Sequence, residues 1–283
     1  MIKPVHKDFR ATWLLLSAVI MISAAAGCRK NTSKDLGPDF NVANDIVFIE
    51  RGLFHTFNLL LKANLDSNIM HGDLGVIDNA VVSYSRSSGK FTFIYQDKLC
   101  ADSATRNGKI IASLSGDFFT SGTGVTVEFQ NYSEDERQFI GSDNLVNDVM
   151  SLGGNGGYYS TIVNLTVVKD PAHTTLWNSL LTYHIPVVIK MNPDSIVPFT
   201  ISGTGNGASS GTYAFSFEVS TPLLNDIYCP WIRQGIMQVS VPSADVPGGT
   251  IEYANSNKCD NRVTYNFEGS VFKGWIISKQ LNY

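Results

Sequence analysis

Between residues 46 and 61 apolar side chains recur at steps of three and four: Ile46, Ile49, Leu53, Phe57, Leu60 and Leu61. That spacing places them on one face of a helix, and Asn44 or Asp45 stands where a cap would start it. Gly52 inside the run costs about 1 kcal/mol relative to Ala. From about Ala80 the period changes to two. Phe91, Phe93 and Tyr95 alternate with Lys90, Thr92 and Gln96, and the preceding Ser87-Ser88-Gly89 turn pairs this strand with Val81–Ser85 as a hairpin. The same alternation appears at Val125, Val127 and Phe129, at Tyr213, Phe215, Phe217 and Val219, and at Val263, Tyr265 and Phe267.

Strands with one polar face belong to an antiparallel sheet that is wet on one side. Their aromatic faces need a covering layer, so the expected fold is mainly β: an antiparallel sandwich or a curved half-barrel, with one N-terminal helix packed on the sheet. Gly122-Thr123-Gly124, the Gly-rich run 153–157, Asn206-Gly207 and Gly248-Gly249 read as the turns between strands. No break in composition divides residues 45–283, which are expected to form a single domain.

Composition agrees with a folded β chain. Of 283 residues 43% are hydrophobic and 16% charged, enough apolar material for a substantial core. The net charge is −4, and without residues 1–27 it becomes −6, with no basic run left. Nucleic acid is therefore not an expected partner, because phosphate binding needs clustered Lys and Arg.

Residues 1–27 read as an export signal. Lys3, Lys7 and Arg10 make a positive start, and Ala11 to Ile22 is an apolar stretch too short to span a bilayer core of ~30 Å. Ala25-Ala26-Gly27-Cys28 resembles the lipobox of bacterial lipoproteins, with Ala25 where Leu is commonest. The resemblance implies cleavage before Cys28 and a lipid on its thiol. Residue 29 is Arg, not the Asp that retains enterobacterial lipoproteins at the inner membrane, so the expected location is the outer membrane, facing the periplasm or the cell surface. Residues 28–44 then form a polar tether.

With Cys28 lipidated, Cys100, Cys229 and Cys259 remain. An oxidising envelope favours one disulfide and one spare thiol, and three pairings can be drawn. Cys229–Cys259 is favoured, because a β-hairpin can close the thirty residues between them; the alternative is that all three stay reduced and buried. No pair has zinc-ligand spacing, so no metal is expected.

A further ordered set runs Cys100-Ala-Asp102, Arg106-Asn-Gly-Lys109-Ile110-Ile111, Phe129-Gln-Asn131-Tyr132, Ile201-Ser-Gly203, Thr221-Pro222-Leu223, Cys229-Pro-Trp231-Ile232-Arg-Gln-Gly235, Tyr253 and Cys259-Asp260-Asn261. This set resembles an uncharacterised family of β-rich lipoproteins from Bacteroidota. The likeness covers about residues 75–270, departs from the pattern at 170–200, and implies a β-rich secreted domain without supplying an activity. Trp231 and Ile232 read as core under a disulfide, and Asp260-Asn261 as a turn. A Ca²⁺ or glycan site from Asp260, Asn261 and Asp102 is the functional counter-reading.

No serine elbow, zinc-protease helix or phosphate loop is present, so no catalytic residue and no cofactor are assigned. His55, His71, His173 and His184 lack mutual ligand spacing. Glu134-Asp135-Glu136 offers adjacent carboxylates but reads as a solvated loop. Tyr158, Tyr159, Trp177 and Trp275 are the aromatic candidates for stacking on sugars, with core packing as the competing explanation. The expectation is a lipid-anchored envelope protein acting as a non-enzymatic binding or structural module, its partners the membrane and a glycan or envelope protein. The alternative is an envelope glycan hydrolase with dispersed carboxylates.

Overall fold

The computed structural model describes residues 38–150, 157–186, 198–210, 212–242, 248–253, 259–267 and 270–275. Cys28, the leader and most of the tether lie outside them. A long helix, α1 (Pro38–Leu65), comes first, followed by a single turn, α2 (Ser67–His71). Asp66 caps α2 through its carboxylate, and Gly72 ends it in the left-handed region at φ 99°.

The strands are β1 (Gly75–Ile77), β2 (Ala80–Ser85), β3 (Lys90–Leu99), β4 (Thr105–Leu114), β5 (Gly124–Glu134), β6 (Arg137–Met150), β7 (Gly157–Asp170), β8 (His173–Ile185), β9 (Pro198–Ser209), β10 (Tyr213–Asp226), β11 (Gln234–Ser240), β12 (Gly249–Tyr253), β13 (Arg262–Phe267) and β14 (Ser270–Trp275). They form one antiparallel meander of fourteen strands, each bonded to its neighbours in sequence, and β1 and β14 are its free edges among the described residues. Of the two expected architectures this is the curved single sheet. From β7 the described strands continue plainly in the order β7–β8–β9.

The covering layer that a second sheet would have provided is α1. Val42, Ile46, Val47, Ile49, Leu53, Phe54, Phe57, Leu59, Leu60 and Leu61 are all buried, although they point in every direction around the helix axis. Such a helix needs partners on all sides. They come from around the sheet: Tyr95 on β3, Phe139 on β6, Tyr159 on β7, Tyr183 on β8, Phe199 on β9 and Tyr265 on β13. Phe57 is the centre of this packing, its ring stacked on Tyr183 at 4.0 Å. No described helix is long and apolar enough to cross a membrane.

Three sequence expectations are corrected. The helix begins at Pro38, inside the segment read as tether, and Asn44 and Asp45 are buried within it, not at its cap. Asp45 accepts from Arg137, Thr175 and Ser209, three polar groups on the inner face of the sheet. Second, Asn206-Gly207 is no turn; it lies within β9. A Cβ on Gly207 would run into the Leu176 carbonyl and the Phe215 ring, and one on Gly205 into the Phe217 ring. These glycines let β9 pass beneath aromatic side chains of the next strand. Third, Trp177 and Tyr159 are core residues, at 0% and 1% exposure, and Trp177 stacks on Phe217 at 4.7 Å. Only Tyr158 of the described aromatic candidates reaches solvent, stacked on His184 at 4.1 Å; the side chain of Trp275 lies outside the described set.

Candidate functional site

The described side chains bring polar chemistry together on both faces of the sheet, inside against α1 and outside in a groove. The inner cluster starts from α1, where Arg51 and His55 stand one turn apart on the same face. Opposite them, β4 and β5 carry Arg106, Tyr132 and Glu134. Arg106 lies on the inward phase of β4, and an irregularity in the pairing turns Tyr132 and Glu134 inward on β5. Pairing jumps from Asn107–Ser133 to Lys109–Gln130, with Gly108 at φ 89° and Asn131 at φ 49°. Gly108 is needed there, since any Cβ would strike the Asn131 carbonyl. On β5 the bulge reverses the alternation, so Val125 and Val127 point inward before it and Tyr132 and Glu134 after it.

Arg106, fully buried, is the hub. Its Nη1 and Nη2 donate to the two oxygens of Asp102 at 2.7 and 2.5 Å, and its Nε lies 3.0 Å from both Glu134 Oε2 and the Tyr132 hydroxyl. The other Glu134 oxygen accepts from Arg51 Nε at 2.7 Å, and Arg51 Nη2 donates to Asp135 at 2.8 Å. His55 shares a 2.8 Å hydrogen bond with the Tyr95 hydroxyl, and its Nδ1 lies 3.3 Å from Asp78. Burial together with Arg106 pushes His55 well below its usual range and keeps it neutral near pH 7. Burial favours the neutral form of Asp102, but Arg106 reverses that and holds its carboxyl below the usual carboxylate range. Glu134 is thus neither solvated nor in a loop: it is the buried anion between two arginines.

This arrangement binds α1 to the sheet. The oxygens of Asp102, Glu134 and Asp135 are each engaged by an arginine or a backbone amide, and Glu134 and Asp102 are closed to solvent. Asp78, Cys100 and Asp102 do converge, with their potential ligand atoms within 4.8 Å of one another. Two features make that trio a poor metal centre. The Arg106 guanidinium already fills the position of the cation, 3.8 Å from Asp78, and burial pushes the Cys100 thiol up to about 12, so it stays protonated.

A second inner pair is less well satisfied. Glu50, about 100° around the helix from Arg51, is fully buried with neither carboxylate oxygen hydrogen-bonded. Asp143 on β6, its electrostatic neighbour, has one oxygen without a partner. Burial, reinforced by Asp143, raises Glu50 to about 8, and burial raises Asp143 to about 7. Glu50 is therefore a protonated acid in the core at pH 7, and Asp143 gives up its proton around that pH.

Cys229 and Cys259 are joined as a disulfide with Cα atoms 5.6 Å apart, and Cys100 is a buried free thiol. Closing a loop of sequence separation 30 in this way stabilises the fold by about 3.5 kcal/mol. Asp102 is bound to Arg106, and Asp260 accepts from the Arg262 amide.

The outer site is a groove of about 580 Å³ across β7 to β11. Strand register builds it. Asn164, Asn178, Asn206, Ser216 and Ser240 are directly paired from strand to strand, giving a polar row on the solvent face. Beside it runs Ile162, Leu180, Thr204, Glu218 and Gln238, in register in the same way. Ile162 and Leu180 are each 57% exposed. The carboxamides of Asn164, Asn178 and Asn206 make no hydrogen bond to other described residues. Sequence reading passed over this row because each member looks like an ordinary outward polar residue, and only the register of four consecutive hairpins lines them up. A comparison with protein family profiles, characterised proteins and solved structures returned no match to the chain.

Proposed function

We propose that this chain is a lipid-anchored envelope protein, held at the outer membrane through Cys28, whose β domain is a non-enzymatic binding or structural module. The observation that carries the second half is the division of polar groups. The clustered carboxylates are inside, locked to arginines or protonated, while the groove that faces solvent contains a single acid, Glu218, among amides and hydroxyls. A glycan hydrolase needs two carboxyl groups flanking one scissile bond, and the groove lining does not supply them.

The anchor rests on the charged start, the short apolar stretch and Ala25-Ala26-Gly27-Cys28, and the resemblance to the Bacteroidota lipoproteins supports it. Metabolic labelling with a clickable fatty acid tests it. The wild type is expected to take up label and to sediment with outer membranes, and Cys28→Ser to lose both. Equal labelling of the two would remove the anchor.

A further inference from the structure

We propose that the outer groove binds an uncharged, hydroxyl-rich chain, an oligosaccharide lying across the strands along Asn164, Asn178, Asn206, Ser216 and Ser240. This rests on the binding-module reading and names its ligand class.

Three properties of the groove select that chemistry. Its hydrogen-bonding groups are mainly carboxamides and hydroxyls, which both donate and accept, as sugar hydroxyls do. The three asparagine side chains are also uncommitted: side-chain amides stacked on neighbouring strands can bond to one another in ladders, and here they do not, so they face solvent with their valences open. The second property is charge. No Lys or Arg lines the groove and one carboxylate does, in a chain of net charge −4. A polyanion would find no counter-charge and would meet Glu218, whereas a neutral chain meets no penalty and can donate hydroxyls to that carboxylate.

The third property is shape. Neighbouring strands are ~4.8 Å apart, close to the length of one pyranose in an extended chain, so consecutive sugars can meet consecutive strands. A groove of about 580 Å³ holds a short oligosaccharide, and the exposed Ile162 and Leu180 give the carbon–hydrogen face of a ring an apolar strip. A bound peptide would instead need a desolvated pocket for an aromatic or aliphatic anchor, and the polar row provides none.

The test is calorimetric titration of the full-length protein with neutral hexaoses (cellohexaose, xylohexaose, maltohexaose, fully N-acetylated chitohexaose), a hexagalacturonate and an extended Gly-Ser peptide of equal length. At least one neutral hexaose is expected to bind, and the anion and the peptide are not. Asn178→Ala/Asn206→Ala should weaken binding by roughly tenfold or more, with its melting temperature unchanged because both side chains are exposed. Thr126→Ala, on the same face of β5 but outside the groove, should bind as the wild type does. The proposal is overturned by absence of binding to every neutral hexaose up to about 10 mM, by unchanged affinity in the double variant, or by tighter binding of the anion or peptide. Any of these with Cys28-dependent labelling intact removes the sugar and leaves the anchored module. Lost labelling with sugar binding intact does the reverse.

Discussion

Arg106→Ala is expected to destabilise the domain by about 3–5 kcal/mol, enough to leave little folded protein at 37 °C. The substitution does more than delete a side chain. It leaves Asp102 and Glu134, at 1% and 0% exposure, as buried anions without their principal cation. Arg51 can still neutralise one oxygen of Glu134, but on the Asp102 side the Ala104 amide is an uncharged donor and does not replace the bidentate pair. Loss of the hub also removes the guanidinium that holds Glu134 in place for Arg51, so the tie between α1 and the β4–β5 hairpin should weaken. Urea unfolding followed by far-ultraviolet circular dichroism measures the effect. The exposed pair His173–Asp170, at 58% and 43% side-chain exposure, is the contrast: Asp170→Asn should leave the midpoint almost where it was. Equal midpoints for Arg106→Ala and the wild type would mean that the inner network does not hold the fold.

The second large effect is on pH dependence. Glu50 and Asp143 carry folded-state values near 8 and 7 against ordinary values of 4.5 and 3.8. Between the two values of each group the folded chain keeps a proton that the unfolded chain has released, so stability falls as pH rises through that window. His55 works in the opposite sense below pH 6.5, because the unfolded imidazole takes up a proton that the buried one refuses. The interval from pH 6.5 to 8 is therefore where the two acids act without that opposition, and stability should drop there by about 2–3 kcal/mol. Glu50→Gln removes the larger part of the slope and should be more stable than the wild type at pH 8. A flat denaturation midpoint across this interval, or an unchanged slope in Glu50→Gln, would show that these carboxyls are not held protonated.

The sequence made the outer architecture readable and hid the inner chemistry, for reasons that can be traced to single residues. Phe91, Phe93 and Tyr95 keep a strict period of two, and their hairpin with β2 forms in the expected place. The six apolar residues that announced α1 are all buried, but Val47, Phe54 and Leu59 lie off that stripe and show that the helix is enclosed rather than docked. Glu134 was concealed by geometry. Counting alternately from Val125 and Val127 places it outside, and only the Asn131 bulge turns it inward. Arg106 was within reach of sequence reasoning, because it is in phase with the buried Ile110 and Ala112; an arginine on the apolar phase of a strand asks for buried carboxylates nearby. The Asn–Ser row could not be read at all, since register between strands depends on turn geometry that residue order does not fix.

The claim that the β domain binds and does not cleave is tested most directly by recovery of the ligand. Each neutral hexaose, incubated with purified protein and then separated by chromatography, should be returned at full length after having been retained by the wild type. New reducing ends or shortened chains, suppressed by Glu218→Gln, would contradict the account and make the groove a hydrolytic site.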